Sequence, residues 1–438
     1  MVQCSNMFRR VGFILAALLS VTAVAVLAQR GGAFRASRDH PAIGYSTGTV
    51  ENAIVSLNRK IQDGEFQLKF DDGFGYLSSV LAALDISVES QVTVFSPTSN
   101  QATLIASDNP RAIYFRDDVS VAWVRGTTSL EAAVQDVHQG TVFYSLPQTP
   151  ADTPQFTRDD QCLACHLTWD TLGVPGLQVL STFPLTSDPN AYATGYVSDH
   201  RTRLEDRWGG WYVTGSHEPF AHMGNVEVTD VDDPNATIGV PRQQLLSLSG
   251  FFDLEGYLSL HSDIVALMVL EHQVHMTNLI TRMGWETRRV LYREQGGDDR
   301  TGHEDFETLI DEAARELVDY LLFVDEAPLP VPIQGSSRFS QTFASSPPQD
   351  SQGRSLREFD LEHRLMRYPC SYMIYTEAFD ALPALAKDAI YRRMWVVLSG
   401  EDRQTPYDRL SDDDRRAVVE ILIDTKPDLP EFFQNFTG

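Results

Sequence analysis

Along this chain the spacing of apolar residues changes character several times. Val11 to Leu27 runs almost unbroken by polar side chains, directly after Arg9 and Arg10. A positive start ahead of such a run is the pattern of an export signal, and the small residues around Val26-Leu27-Ala28 predict cleavage after Ala28. An uncleaved membrane anchor is the alternative, on the strength of the apolar length. Residues 29–50 are polar and aperiodic and read as a flexible leader. Residues 51–90 are mixed, with a helix predicted near Gly75 to Leu84.

From Gln91 to Leu146 the pattern is β. Val92 to Phe95, Ala112 to Phe115, Val119 to Val124 and Thr141 to Leu146 are rich in β-branched and aromatic residues, punctuated by Asn109-Pro110 and Asp117-Asp118. Residues 155–245 show few long helical patterns, and Tyr212 to Thr214 reads as a short strand. After Asp253 the spacing turns helical. Ser262 opens a long segment with Val265, Met268, His272, Met276, Leu279 and Met283 at helical intervals, interrupted by polar residues too soon for a membrane span. A second helix is predicted near Asp305 to Phe323. Pro328 to Gly353, rich in Pro, Ser and Gln, reads as a linker or long loop. Helices follow over Asp388 to Leu398 and after Ser411, an N-cap with three acids in the first turn behind it and Pro427 as its stop.

The predicted fold class is α+β: a small antiparallel β unit and a mainly α-helical C-terminal half, joined by a segment of distinct chemistry. The expected divisions are a signal at 1–28, a leader at 29–50, a β-rich domain at 51–150, the distinct segment at 151–245, a helical region at 246–327, a linker or loop at 328–355 and a second helical region at 356–438.

Charge narrows the partners. The chain carries 35 basic and 60 acidic residues, a net −25, and cleavage after Ala28 would remove Arg9 and Arg10 and so make it −27. Such a surface repels nucleic acid and anionic lipid. It suits a basic partner, although many acids serve only to solvate a surface.

The four cysteines are the most informative count: Cys4 in the signal, Cys162, Cys165 and Cys370. Exported proteins often pair cysteines in disulfides, yet two of these sit within one pentapeptide, Cys162-Leu163-Ala164-Cys165-His166. CxxCH is the attachment pattern of c-type haem. Two thiols add to two vinyl groups, two intervening residues let both sulfurs reach one porphyrin edge, and the adjacent histidine ligates iron from one side. A CxxC redox pair would want a βαβ setting and a zinc site a second Cys or His pair, and neither is evident. One covalent haem c is therefore predicted on 151–245, with His166 as a ligand. Cys370, in Tyr368-Pro369-Cys370-Ser371-Tyr372, reads as a small buried hydrophobe rather than a reactive thiol.

For the sixth iron position His222 ranks first, with Met223 and His217 as alternatives, since either residue type can complete haem iron. Each could equally be a polar neighbour. Trp208 and Trp211 are expected against the porphyrin or in the core. Arg207 and Arg201 are candidates to pair with haem propionates, because Arg binds carboxylate with two parallel hydrogen bonds. His272 and His275, three apart on the long helix, face one way; they read as a pair toward the haem or as a core histidine beside an exposed one.

The motif CLACH, Thr171 to Gly176 (TLGVPG), RWGGWYVTG, Ser262 to Gln273 (SDIVALMVLEHQ) and YPCSY together resemble a family of large exported bacterial mono-haem cytochrome c domain proteins, over about residue 85 to the end. The resemblance implies an exported mono-haem protein and assigns no substrate. It also implies a His-x-Gly-Asn element, matched by His222 and Asn225, which favours His222; Glu218 stands where the family often has Gly after the first histidine, which weakens His217.

Three functions follow as expectations. The first is one-electron transfer through a six-coordinate haem, with a redox partner protein, in the periplasm or exported, with inner-membrane anchoring if the signal is not cut. The second is a haem enzyme, peroxidase-like or acting on a small molecule, with an open distal position and a distal acid-base group. The third is a redox or gas sensor. The absence of a second CxxCH disfavours a dihaem peroxidase, while the large non-haem share of the chain keeps the enzyme reading open.

Overall fold

The structure, a computed structural model, describes residues 38–183, 195–228, 239–297 and 306–436. The predicted signal and the first part of the leader lie outside the described residues.

A seven-stranded antiparallel sheet organises the N-terminal half. Its strands are β1 (Val92–Val94), β2 (Arg111–Arg116), β3 (Val119–Trp123), β4 (Ser129–Asp136), β5 (Gly140–Pro147), β6 (Thr157–Arg158) and β7 (Trp211–Tyr212), in the order β6-β5-β4-β3-β2-β1-β7. All four predicted β runs are strands. β4 is an addition that the apolar pattern did not announce, because its buried positions are filled partly by Ala132 and Ala133 and its half-buried ones include Glu131 and Gln135.

The register assigns the two faces. Tyr114 pairs with Val121, Leu130 with Leu146 and Val134 with Val142. This face packs with Ile54, Leu57, Leu77 and Val80, from helices α1 (Ala53–Gln62) and α2 (Leu77–Ala83), into one core. Helix α1 starts where it does because the Asn52 side chain accepts hydrogen bonds from the Ile54 and Val55 N–H groups. On the opposite face Ile113 pairs with Ala122 and Ala122 with Glu131, while Ser120 pairs with Ala133 and Ala133 with Phe143. Small side chains in the middle of that face leave it hollow.

Past β6 the chain makes a one-turn helix, α3 (Leu163–His166). The long helix α4 (Ile264–Glu294) then packs against the sheet, and its 31 residues span about 46 Å at 1.5 Å per residue. Its N-cap is Asp263, which accepts from Val265 N and Ala266 N; Ser262, the predicted opener, instead donates to the Tyr212 carbonyl at 2.6 Å. Helices α5 (Phe306–Leu321), α6 (Ala384–Leu398) and α7 (Asp412–Thr425) complete the helical half, with Leu317, Leu321, Ile390, Met394 and Val418 in its core. Ser411 caps α7 in a capping box with Asp414. The fold is thus mixed α+β, an antiparallel sheet followed by a mainly helical half.

Segment 328–355, expected as a linker or long loop, is built into the body. Ile333–Gly335 pairs antiparallel with Gly215–His217, and the helix Phe339–Ala344 buries Phe339 and Phe343. Its Pro, Ser and Gln content concealed these few apolar anchors. Among the described residues no helix is long and apolar enough to cross a membrane.

Candidate haem site

The CxxCH segment hangs on the edge of the sheet. β6 pairs with β5 through Arg158 opposite Tyr144 and Thr157 opposite Ser145, and the Asp159 N–H donates to the Phe143 carbonyl at 2.9 Å. The Asp159 side chain accepts from Gln161 N and so starts the turn that contains Cys162. Leu163 and Leu167 are buried in the sheet core and fix the rotation of α3. Cys162 and Cys165, three apart, then share one side of a helical turn. Both thiols and His166 line one cleft that is partly open to solvent.

The loop after the motif aims the histidine. Gly176 N donates to the His166 carbonyl at 3.0 Å, and His166 Nδ1 lies 2.9 Å from the Gly176 carbonyl. A carbonyl only accepts, so Nδ1 carries the proton and Nε2 presents its lone pair. Burial, reinforced by the Arg111 charge, brings the His166 pKa down to about 4 against the opposing Gly176 hydrogen bond, so the ring is neutral at pH 7. The loop is itself clamped by α4: Asn278 donates to the Leu177 carbonyl at 2.8 Å, and a Cβ on Gly176 would sit 1.9 Å from Asn278 Oδ1. A neutral imidazole with its outer nitrogen held by a backbone carbonyl is the arrangement of an oriented metal ligand.

The cleft has an apolar body. Ile113, Ala122, Ala133 and Phe143 come from the hollow sheet face, and Leu270 and Val274 from α4. Arg111 and Glu131, paired with each other across β3, are the charged side chains of its lining apart from the titratable groups of the CxxCH motif, and Thr98, Ser99 and Asn100 add a polar stretch. Burial pushes the Cys162 thiol up to about 12, with Asp159 and Glu131 adding to the effect, so it is protonated at neutral pH. Cys162 and Cys165 are free thiols, and among the described residues no group of three or more His, Cys, Asp or Glu side chains is arranged to hold a bare metal ion. Two thiols and a neutral imidazole at an apolar cleft fit the donor set that a covalently held haem requires.

Of the other predicted site residues, Trp211 lines this cleft and donates from its indole to the Leu180 carbonyl at 2.8 Å. Trp208, Arg207, His217, His222 and Met223 do not line it. They gather nearby: the Met223 N–H donates to the Arg207 carbonyl, Trp208 packs edge-on to His222, and His217 meets both Phe220 and His222. His222 is buried, with Nδ1 accepting from Gly224 N at 3.1 Å and Nε2 unpartnered, and burial first, then the nearby charges, lower its pKa to about 3. Among the described residues lining the cleft, His166 is the only histidine and no methionine is present. Arg111, Glu131 and Gln178 were not singled out in the sequence. Their signal is the register that places 111 and 131 on one sheet face, 20 residues apart.

Arg207, Arg201, His272 and His275 belong to a second polar cluster, deep between α4, α5 and the 195–207 loop. His200 Nδ1 and His272 Nδ1 are 2.8 Å apart, and His272 Nε2 is 2.7 Å from Ser371 Oγ. Arg207 forms a fully buried ion pair with Glu271 at 3.2 Å and donates to the His200 carbonyl at 2.8 Å. Arg201 pairs with Asp199 and reaches His275 Nε2 at 3.1 Å. Burial lowers the pKa of His272 to about 3 and of His275 to about 4. Cys370 is fully buried beside this cluster's Ser371, its thiol pKa raised by burial.

Comparison of the chain with protein-family models, with curated proteins and with solved structures finds no match.

Proposed function

We propose that the protein is an exported mono-haem c-type cytochrome, its haem c held by thioethers to Cys162 and Cys165 and ligated by His166, and that it carries out one-electron transfer with a partner protein. The observation that carries this reading is the His166 ring, neutral, held through Nδ1 by the Gly176 carbonyl, and set beside two thiols at an apolar cleft. Haem supplies an iron centre that exchanges one electron. The chain's own part is to exclude water with Ile113, Phe143, Leu270 and Val274, and to fix the ligand through Gly176. The surplus of acidic residues suits a basic redox partner.

A second reading has a specific observation in its favour. With neither His222, Met223 nor His217 in the lining of the cleft, an open sixth position supports a haem enzyme or a gas sensor over a six-coordinate carrier.

The test is expression of the full chain with its own leader in a host that matures c-type cytochromes. The expected result is a mass increase of one haem that survives denaturation, lost in the Cys162→Ala, Cys165→Ala double variant. A protein recovered without covalent haem sinks the proposal. On the holoprotein, His222→Ala and carbon monoxide divide the two readings: electron transfer through a His222-ligated haem requires a low-spin spectrum that His222→Ala makes high-spin. An unchanged spectrum together with rapid carbon monoxide binding selects the open site.

A further inference from the structure

We infer that Arg111 is the residue that binds a haem propionate in this cleft, with Glu131 as its positioning partner. The inference rests on the reading of the cleft as a haem site. Haem brings two carboxylates with it, and a carboxylate taken from water into an apolar cleft needs a cationic donor. The arginines singled out in the sequence are already committed elsewhere. Arg207 is spent on Glu271 and on the carbonyls of Thr202 and His200, Arg201 on Asp199 and His275, and neither lines the cleft. Among the described residues of the lining, Arg111 is the only permanent cation.

Its placement follows from the sheet. Arg111 opens β2, and because side chains alternate along a strand it lies on the same face as Ile113, hence on the hollow face shared with Ala122 and Glu131. One terminal nitrogen is held by the Glu131 carboxylate, which fixes the plane of the guanidinium. Nε is buried and has no hydrogen-bond partner. A guanidinium has five N–H donors and can accept a second carboxylate beside the first. Both members of the pair are only about one-fifth exposed, at 20% and 22%, so their charges act through protein more than through solvent.

The covalent thioethers make the inference testable, since haem stays attached whether or not Arg111 is present. The measurements are the reduction potential of the full-length holoprotein against pH, and cyanide affinity of the ferric form, for wild type, Arg111→Gln, Arg111→Lys and Glu131→Gln. Removing the cation stabilises ferric over ferrous iron, so Arg111→Gln is expected to lower the potential. It should also introduce a pH dependence between pH 5 and 8, as the unpaired propionate titrates. Arg111→Lys should restore part of the potential, and Glu131→Gln should raise it, with cyanide affinity in all three within about twofold of wild type. An Arg111→Gln holoprotein with unchanged potential and unchanged pH profile overturns the inference. So does a changed cyanide affinity with a flat pH profile, which would place Arg111 over the iron. If Arg111→Gln does not fold, the two milder variants decide, and an unmoved potential in Glu131→Gln counts against. A wild-type chain that carries no covalent haem is a separate result, visible before any variant is made, and removes the premise along with the inference.

Discussion

The cleft and the histidine cluster behind it are both polar islands in apolar surroundings, and they differ in how their hydrogen bonds close. In the cluster, His272 spends both ring nitrogens, on His200 and Ser371, and Arg207 spends its fork on Glu271 and two carbonyls, while His200 Nε2 and His275 Nδ1 are buried without a hydrogen-bond partner. In the cleft, His166 spends one nitrogen and keeps the other, and Arg111 leaves Nε unused. Bonds between elements hold the fold together, and spare atoms leave capacity for a ligand only where they line a cleft. Counting histidines does not separate the two kinds of site; counting their uncommitted atoms at a cavity does.

The largest expected effect comes from breaking the cluster's buried ion pair. Glu271→Ala strands the Arg207 charge in a site where the two side chains are 2% and 0% exposed. Removing one partner of such a pair typically costs about 3–5 kcal/mol. Chemical unfolding should show the loss; a change within the scatter of surface substitutions would mean that the Arg207–Glu271 pair is not buried as described. Next is Gly176→Ala, which forces a methyl to 1.9 Å from Asn278 Oδ1. Overpacking of this kind costs about 1–3 kcal/mol, and because Gly176 aims His166, the ligand-field spectrum of the holoprotein should shift as well. Adding Asn278→Ala makes room and should recover part of the stability. Full stability and spectrum in the single variant would show that the loop does not aim the ring.

The smallest effect is with pH. His272 and His275 have folded pKa values near 3 and 4, below the 6.5 of an unfolded histidine. As pH falls from about 6.5 toward 4, the unfolded chain takes up protons that the folded chain refuses, so stability declines through that window and is intact above it. The decline should be on the order of 1 kcal/mol for each such histidine by about pH 6. Urea midpoints from pH 8 to 5 measure it, and His275→Gln should make the slope shallower. An equal slope in that variant would assign the acid sensitivity elsewhere.

What could be read in advance was local. CxxCH, the β runs of 92–146, the Ser411 cap and the long helix are set by neighbours in sequence, and each is visible as spacing. Strand β4 was not, because alanines and acids at its alternating positions lack a β signature. The lining of the cleft was not, because Arg111 meets Glu131 only through strand register. The choice of His222 rested on residue type, distance along the chain and a family resemblance, none of which specifies a wall of the cleft. Arg207 reads in the sequence as a candidate for a haem propionate, and in the fold its guanidinium is paired with Glu271, 64 residues away along the chain.

The brevity of β6 has a consequence for the order of assembly. Two paired residues, Thr157 and Arg158, join the CxxCH segment to the outermost position of the sheet, helped by the Asp159 hydrogen bond and by Leu163 and Leu167 in the core. The inner strands β2 to β5 form ladders of four to eight paired positions that do not include it. The scaffold can therefore form while Cys162 and Cys165 still hang outside it, which under the proposed function would keep both thiols within reach of a haem-attaching machinery. Docking of this short edge strand would then come last and bring the motif against the face that Ala122 and Ala133 make shallow.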